Sequence, residues 1–269
     1  MDVERQSTDA EYDAQHDAEY DDPALDYRDY WLRRDYEDQS ERLAIRRLLA
    51  GRSFAHALEI GGGYGRLSAL LAEHADLVTL TDASRRQLRF AAEHLAGYSR
   101  VEYRVMDAEA LDVDAASVDL VVIIRVLHHL PDPSRVFAEV GRVLAPGGVA
   151  LIEVANQAHA MNRLRYCLRG RRVPRDPVDL RSAANRERGS IPFVNHHPAA
   201  VAEGLKQVGL TVERRLSVSN LRSSVVKKVV PARIMVGVER RLQGLLGPVA
   251  FGPSLMLLAR KEPDLTERP

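Results

Sequence analysis

The sequence predicts an α/β domain built on a doubly wound, mostly parallel sheet, and three observations carry that prediction. From about residue 54 onward, short apolar runs alternate with stretches of helical periodicity. The first of these runs, Ala57-Leu-Glu-Ile60, empties into a glycine cluster at Gly61, Gly62, Gly63 and Gly65. Further on, Val118-Asp-Leu-Val-Val-Ile-Ile124 is apolar without alternation, the pattern of a central parallel strand covered on both faces.

Taken in order, residues 1–23 are acidic and nearly free of aliphatic side chains, which predicts a disordered tail. Residues 24–50 read as a helical arm, with Tyr27, Tyr30, Trp31 and Tyr36 leading into Leu43, Ile45, Leu48 and Leu49. Either the arm folds over a ligand pocket as a lid, or its aromatics only pack it on the body. Residues 51–155 form the expected ligand-binding core. After the glycine loop, Leu67, Leu70 and Leu71 recur at helical spacing. Leu77–Asp82 is a second strand and Val101–Met106 a third. Pro133 suits the first turn of a helix capped by Asp132, running from Ser134 to Leu144 and stopping at Ala-Pro-Gly-Gly148 before the strand Val149–Val154. Residues 156–195 read as a basic insertion, and 196–262 as a hairpin and cover that contains a helix from Pro198 and strands at 211–219 and 254–260. Residues 263–269 are a second tail.

The loop chemistry narrows the ligand. Glycines admit positive φ and let a ligand approach the backbone directly. Gly61, Gly63 and Gly65 give G-x-G-x-G, whereas a dinucleotide fingerprint is G-x-G-x-x-G, and no Lys-Ser or Lys-Thr follows to make a P-loop. Asp82 ends the second strand, where βαβ folds place a carboxylate that accepts from ribose hydroxyls; it could instead cap the helix beginning near Ser84. His128 and His129 follow the central strand and are candidate general bases. No metal-ligand pattern stands out.

Glu59-Ile-Gly-Gly-Gly-Tyr-Gly65, Asp82, Arg125-Val-Leu-His-His-Leu-Pro-Asp-Pro133 and the Pro-Gly-Gly turn, in that order, resemble the motifs of the class I S-adenosylmethionine-dependent methyltransferases. The resemblance covers Phe54 to about Val154. It implies a Rossmann-like seven-stranded sheet in the order 3-2-1-4-5-7-6, with the last strand antiparallel. It also implies S-adenosylmethionine as cofactor, with Glu59, Gly61, Gly62, Gly63 and Gly65 at its methionine end, Asp82 at the ribose, and Asp107 with Ala108 at the adenine. His129 matches the family's more usual histidine. Arg125 stands where relatives carry a small or polar residue, and could grip the cofactor carboxylate or an anionic substrate. The rival readings are an NAD(P)-dependent oxidoreductase and a non-catalytic relative that binds a partner.

Composition sets the remaining bounds. Formal net charge is zero, so no overall field points to nucleic acid, yet residues 160–190 carry nine arginines against three acids. One cysteine, Cys167, excludes an internal disulfide and suits a reducing compartment, and no apolar run is long enough to span a bilayer. A cytoplasmic protein is expected. The family topology that the resemblance implies puts the basic insertion, Arg125 and the apolar, basic stretch 225–246 on or near the substrate side, with Val225, Val226, Ile234, Met235 and Leu245 expected to line an apolar pocket. Phe193 is the only aromatic between Tyr166 and Phe251, so base stacking is poorly served. The expected acceptor is therefore a small or lipid-like molecule, with peripheral membrane contact a lesser expectation.

Overall fold

The computed structural model describes residues 27–32, 34–222 and 224–263. The acidic tail and most of the C-terminal tail lie outside the described residues.

Seven strands form the main sheet: β1 (Phe54–Ile60), β2 (Ala75–Asp82), β3 (Val101–Val105), β4 (Val118–Ile123), β5 (Leu144–Ala155), β8 (Leu210–Val218) and β9 (Ser254–Lys261). Their order is β3-β2-β1-β4-β5-β9-β8, and β9 runs antiparallel to both neighbours. This is the doubly wound order the sequence implies. Val118, Leu120, Val121, Val122 and Ile123 of β4 are wholly buried, as a strand covered on both faces requires. The pairings Ile60↔Thr81, Ile60↔Ile123 and Asp82↔Val105 bring the ends of β1 to β4 to one edge of the sheet.

Helices α1 (Tyr27–Trp31) and α2 (Asp35–Leu48) make the arm. In α2, Ala44, Ile45 and Leu48 are completely buried and belong to the core. Each large aliphatic buried this way contributes about 1.5–3 kcal/mol, so α2 is a structural element and not a detachable cover. The glycine loop leads to α3 (Ser68–Leu71), a single turn. Then come α4 (Arg85–His94) and α5 (Ser134–Val143).

Two local expectations shift. Helix α5 begins at Ser134 as expected, but Pro133 rather than Asp132 is its N-cap residue, and the Asp132 carboxylate accepts from the Ser134 amide at 3.0 Å. The Pro-Gly-Gly segment is not a free turn, since β5 starts at Leu144 and absorbs it through a register shift against β4.

The basic insertion is more ordered than a bare loop. It carries α6 (Ala160–Cys167), α7 (Ala183–Glu187) and a small ribbon of β6 (Val178–Asp179) with β7 (Val194–Asn195). Helix α8 (Pro198–Gln207) is capped by His197, whose Nδ1 accepts from the Ala199 amide at 3.2 Å.

The stretch 225–246 corrects an expectation. It forms α9 (Ser224–Val229) and α10 (Ala232–Leu246), and α10 packs on α2 and β8. Tyr36 Oη donates to Glu239 at 2.7 Å and Gln243 Nε2 donates to the Ser40 carbonyl at 2.8 Å. Met235 is buried in this contact, whereas Ile234 and Leu245 face outward. Helix α10 braces the arm rather than lining the cavity, because Glu239 and Gln243 find their partners on α2, while the Val225 side chain lies outside the described residues.

Candidate cofactor and active site

A cavity of about 350 Å³ opens at the common edge of β1 to β4, within the range of roughly 300–1,000 Å³ typical of small-ligand sites. Glu59, Gly61, Gly62, Gly63, Asp82, Asp107, Ala108, Arg125 and His129 line it, joined by Trp31, Arg66 and Gln87.

The loop's shape comes from its glycines. Gly61 has φ +66°, and a Cβ there would fall 2.3 Å from Val126 Cγ2. Gly62 is crowded by Leu80 and Glu59, and its amide donates to the Thr81 carbonyl at 3.0 Å, tying the loop to β2. Gly65 lies behind the cavity, where a Cβ would meet Leu95 Cδ1 at 2.5 Å. Its role is packing, and the expected direct cofactor contact does not follow from its position.

Asp82 is not the cap of the following helix, a place that Ser84 takes, and it stays at the cavity wall. Its carboxylate accepts from the Gly63 amide and from the Ser84 amide, each at 2.9 Å, while Ser84 itself caps α4. Asp82 thus sets the loop against the helix start and still lines the cavity. Asp107 accepts from the Glu109 amide at 2.8 Å and closes a turn, not a helix.

Glu59 is buried, and burial pushes its carboxyl up to about 7, against the opposing effects of a hydrogen bond from Ser68 and the charge of Arg66. Such a group gains a proton or loses it according to what occupies the cavity.

Arg125 is held at φ +65°, an uncommon conformation for a side-chain-bearing residue. Its Nε donates to Glu41 Oε1 at 2.8 Å. Glu41, fully buried on α2, also pairs with Arg66, which reaches Asp38 as well. Burial opposes the charge of both guanidiniums, but Glu41 outweighs it and holds them firmly protonated. Arg125 therefore commits Nε and Nη2 to the arm while still lining the cavity. The Arg66 guanidinium carbon lies 3.6 Å from the Trp31 ring centroid and that of Arg125 5.4 Å away. This cation–π contact holds the indole over the cavity.

The two adjacent histidines separate. His129 lines the cavity, and its Nδ1 lies 3.0 Å from the Pro192 carbonyl oxygen. Because a carbonyl only accepts, Nδ1 carries the proton and Nε2 is the acceptor nitrogen. His128 is buried against Phe193 and does not line the cavity. Burial, followed by the nearby charge of His129 and Arg125, holds it well below the usual imidazole range. The short 3₁₀ turn at Leu127–His129 points successive side chains in different directions, so His128 becomes packing. His196 is also structural, with Nε2 bonded to the Leu127 carbonyl at 2.8 Å.

The sequence reading missed Arg66, Glu41 and Gln87. Arg66 had a weak signal in following the last loop glycine, and Gln87 in lying in the first turn after a cap. Glu41 had none. Two buried lining atoms, Gln87 Oε1 and Trp31 Nε1, have no hydrogen-bond partner among the described residues. Orphaned polar atoms at a cavity wall await a polar ligand. An acceptor, a donor, two strand-end carboxylates and an open glycine backbone fit a nucleoside joined to an amino acid, as S-adenosylmethionine is.

Comparison with known proteins agrees. Residues 58–152 match a protein family described as a methyltransferase domain. A ubiquinone biosynthesis O-methyltransferase of Coxiella burnetii is 32% identical over 103 residues, or 38% of this chain and 44% of that protein. A Mycolicibacterium smegmatis protein named "Probable S-adenosylmethionine-dependent methyltransferase" is 38% identical over 135 residues, or 50% of this chain and 49% of that one. The chain thus spans less than half the length of these curated relatives. Among solved structures, a SAM-dependent methyltransferase from Thermotoga maritima superposes with a TM-score of 0.62 at 18% identity, covering 88% of this chain and 95% of that one. At that identity the likeness concerns the fold.

Proposed function

We propose that the chain, whose residues 58–152 match a methyltransferase domain, is a class I S-adenosylmethionine-dependent methyltransferase that moves the cofactor's methyl group onto a small, partly apolar acceptor. The observation that carries this reading is the convergence on one cavity of the glycine loop, the acids ending β2 and following β3, and His129.

When bound, S-adenosylmethionine supplies a methyl group already activated on a sulfonium. The protein's task is then to orient an acceptor for in-line attack, and positioning of this kind contributes as much as roughly 7–11 kcal/mol. The backbone of Gly61 to Gly63 leaves room for close approach at the methionine end. Asp82 accepts from the ribose hydroxyls while holding Gly63, and Asp107 with the Ala108 amide meets the adenine. Glu59, ionised by a cationic neighbour, balances its charge. Gln87 Oε1 and Trp31 Nε1 gain their missing partners. His129, oriented by Pro192, accepts the proton of an acceptor hydroxyl or amine through Nε2, which is typically worth about 10²–10⁴-fold in rate.

The names of the ubiquinone O-methyltransferase relatives support an oxygen atom on a small molecule as acceptor. The test is transfer of labelled methyl from S-adenosylmethionine into a cell extract, fractionated into organic-soluble molecules, RNA and protein. Label in the organic-soluble fraction is the expected result. Label in RNA, abolished by high salt as phosphate contacts require, refutes the small-molecule reading.

A further inference from the structure

Helix α6 is inside out. It leaves the C-terminal end of β5, at the sheet edge where the cavity opens, and its one buried side chain is a polar residue, Asn162, which donates to the Gln157 carbonyl at 3.0 Å. Its apolar side chains face water: Met161 is 62% exposed, Leu164 52%, and Leu168, just past its end, 78%. Positions i, i+3 and i+7 share one face of a helix, so the three make a stripe. The Ala160 amide donates to the Phe251 carbonyl at 2.9 Å, which sets the exposed side chains of Phe251 and Val249 beside the first turn of α6. The apolar surface therefore extends beyond the helix. Contiguous apolar surface of this kind is rare without a partner.

Charge identifies the partner. Arg163, Arg165, Arg169, Arg171 and Arg172 are all exposed around the stripe, and no acid occurs between Glu153 and Asp176. The whole chain is neutral, so this positive charge is a local feature. Apolar side chains ringed by arginines match an anionic bilayer surface, where the stripe enters the acyl boundary and the guanidiniums meet phosphates. A nucleic-acid surface would need stacking aromatics, and α6 offers only the half-buried Tyr166. An apolar protein groove would not call for five arginines.

The geometry points to α6 and the arginine turn after it as a contact for anionic lipid membranes. The contact lies flat on the surface, since among the described residues no helix is long and apolar enough to cross a membrane. It does not depend on methyl transfer and stands or falls on its own test.

Cys167 provides the probe, being the only cysteine, exposed, and within the same turn as Leu164 and Leu168. The full-length protein is labelled there with an environment-sensitive dye and titrated with phosphatidylcholine vesicles, with or without phosphatidylglycerol. Co-sedimentation of unlabelled protein is run in parallel. A blue shift and sedimentation with the anionic vesicles only, both weakened by salt, are expected. Removing one surface arginine should cost about five-fold in partitioning, so Arg163→Gln with Arg169→Gln loses more than ten-fold. Leu164→Gln with Leu168→Gln abolishes the blue shift while leaving calorimetric binding of S-adenosylmethionine unchanged, since neither leucine lines the cavity. No sedimentation with anionic vesicles, equal binding to neutral ones, or a dye response to RNA or to protein concentration instead of lipid would each overturn the proposal.

Discussion

Replacing Glu41 with Gln keeps the shape of the side chain and removes its charge. Glu41 is fully buried between Arg66 and Arg125. Breaking a buried pair from one side costs about 3–5 kcal/mol, because a charge is left without compensation. Arg66 keeps Asp38, a partly exposed partner, whereas Arg125 loses the acid to which it is hydrogen-bonded and retains the weaker influence of Glu153 and Tyr30. The low end, about 3 kcal/mol, is therefore expected. For a domain of this size each kcal/mol shifts Tm by roughly 2–4 °C, giving a fall of about 6–12 °C. Calorimetric melting and urea titration read the loss. Replacing Arg125 with Met in the same background should restore part of it, since the uncompensated cation is then gone. Glu41→Gln should also weaken cofactor binding, because the guanidiniums it anchors hold Trp31 over the cavity. A loss below about 1 kcal/mol, as for an exposed pair, with no coupling to Arg125, would refute the buried anchor.

Further outcomes follow from the site. Asp82→Ala should weaken S-adenosylmethionine binding ten-fold or more, about 1.4 kcal/mol per decade; unchanged affinity in a folded variant would reduce Asp82 to shaping the loop. Gly61→Ala should abolish binding, since its Cβ meets Val126, while Gly63→Ala, also at positive φ but with nothing nearer than 3.9 Å, should only weaken it; calorimetry compares the two. Glu59 has its pKa raised from about 4.5 to about 7 by burial, so the stability it contributes is complete below about pH 4.5 and is lost as pH rises through about 7. Glu59→Gln should flatten that window in urea titrations, and the rise of cofactor affinity through pH 7 should vanish with it. His129→Ala should lower kcat by about 10²–10⁴-fold with cofactor affinity kept, whereas His128→Ala should show first as a lower Tm.

The strand order was legible because the central strand Val118–Ile123 is almost wholly apolar and because β1, β2 and β3 lead into a glycine, an acid and an acid at their C-terminal ends. Those same ends, Gly61 to Gly63, Asp82, Asp107 and His129, line the cavity. The arm was less legible. Glu41 lies in the polar run Asp-Gln-Ser-Glu-Arg, where a carboxylate reads as solvated, and its partners are 25 and 84 residues away. No local pattern encodes a pair closed by tertiary packing. Only the resemblance favoured His129 over His128, because adjacency says nothing of where a 3₁₀ turn points each ring. Val225 to Leu246 had the right amphipathic pattern, but periodicity names the buried face and not what buries it. The outward stripe of α6 was hidden for the same reason.

Titration calorimetry of the purified protein with S-adenosylmethionine, its demethylated product and NAD tests the occupant of the cavity most directly. Micromolar binding of the first two, accompanied by a change in Trp31 fluorescence, and none of NAD is the predicted result. Binding of NAD with no response to S-adenosylmethionine would contradict it.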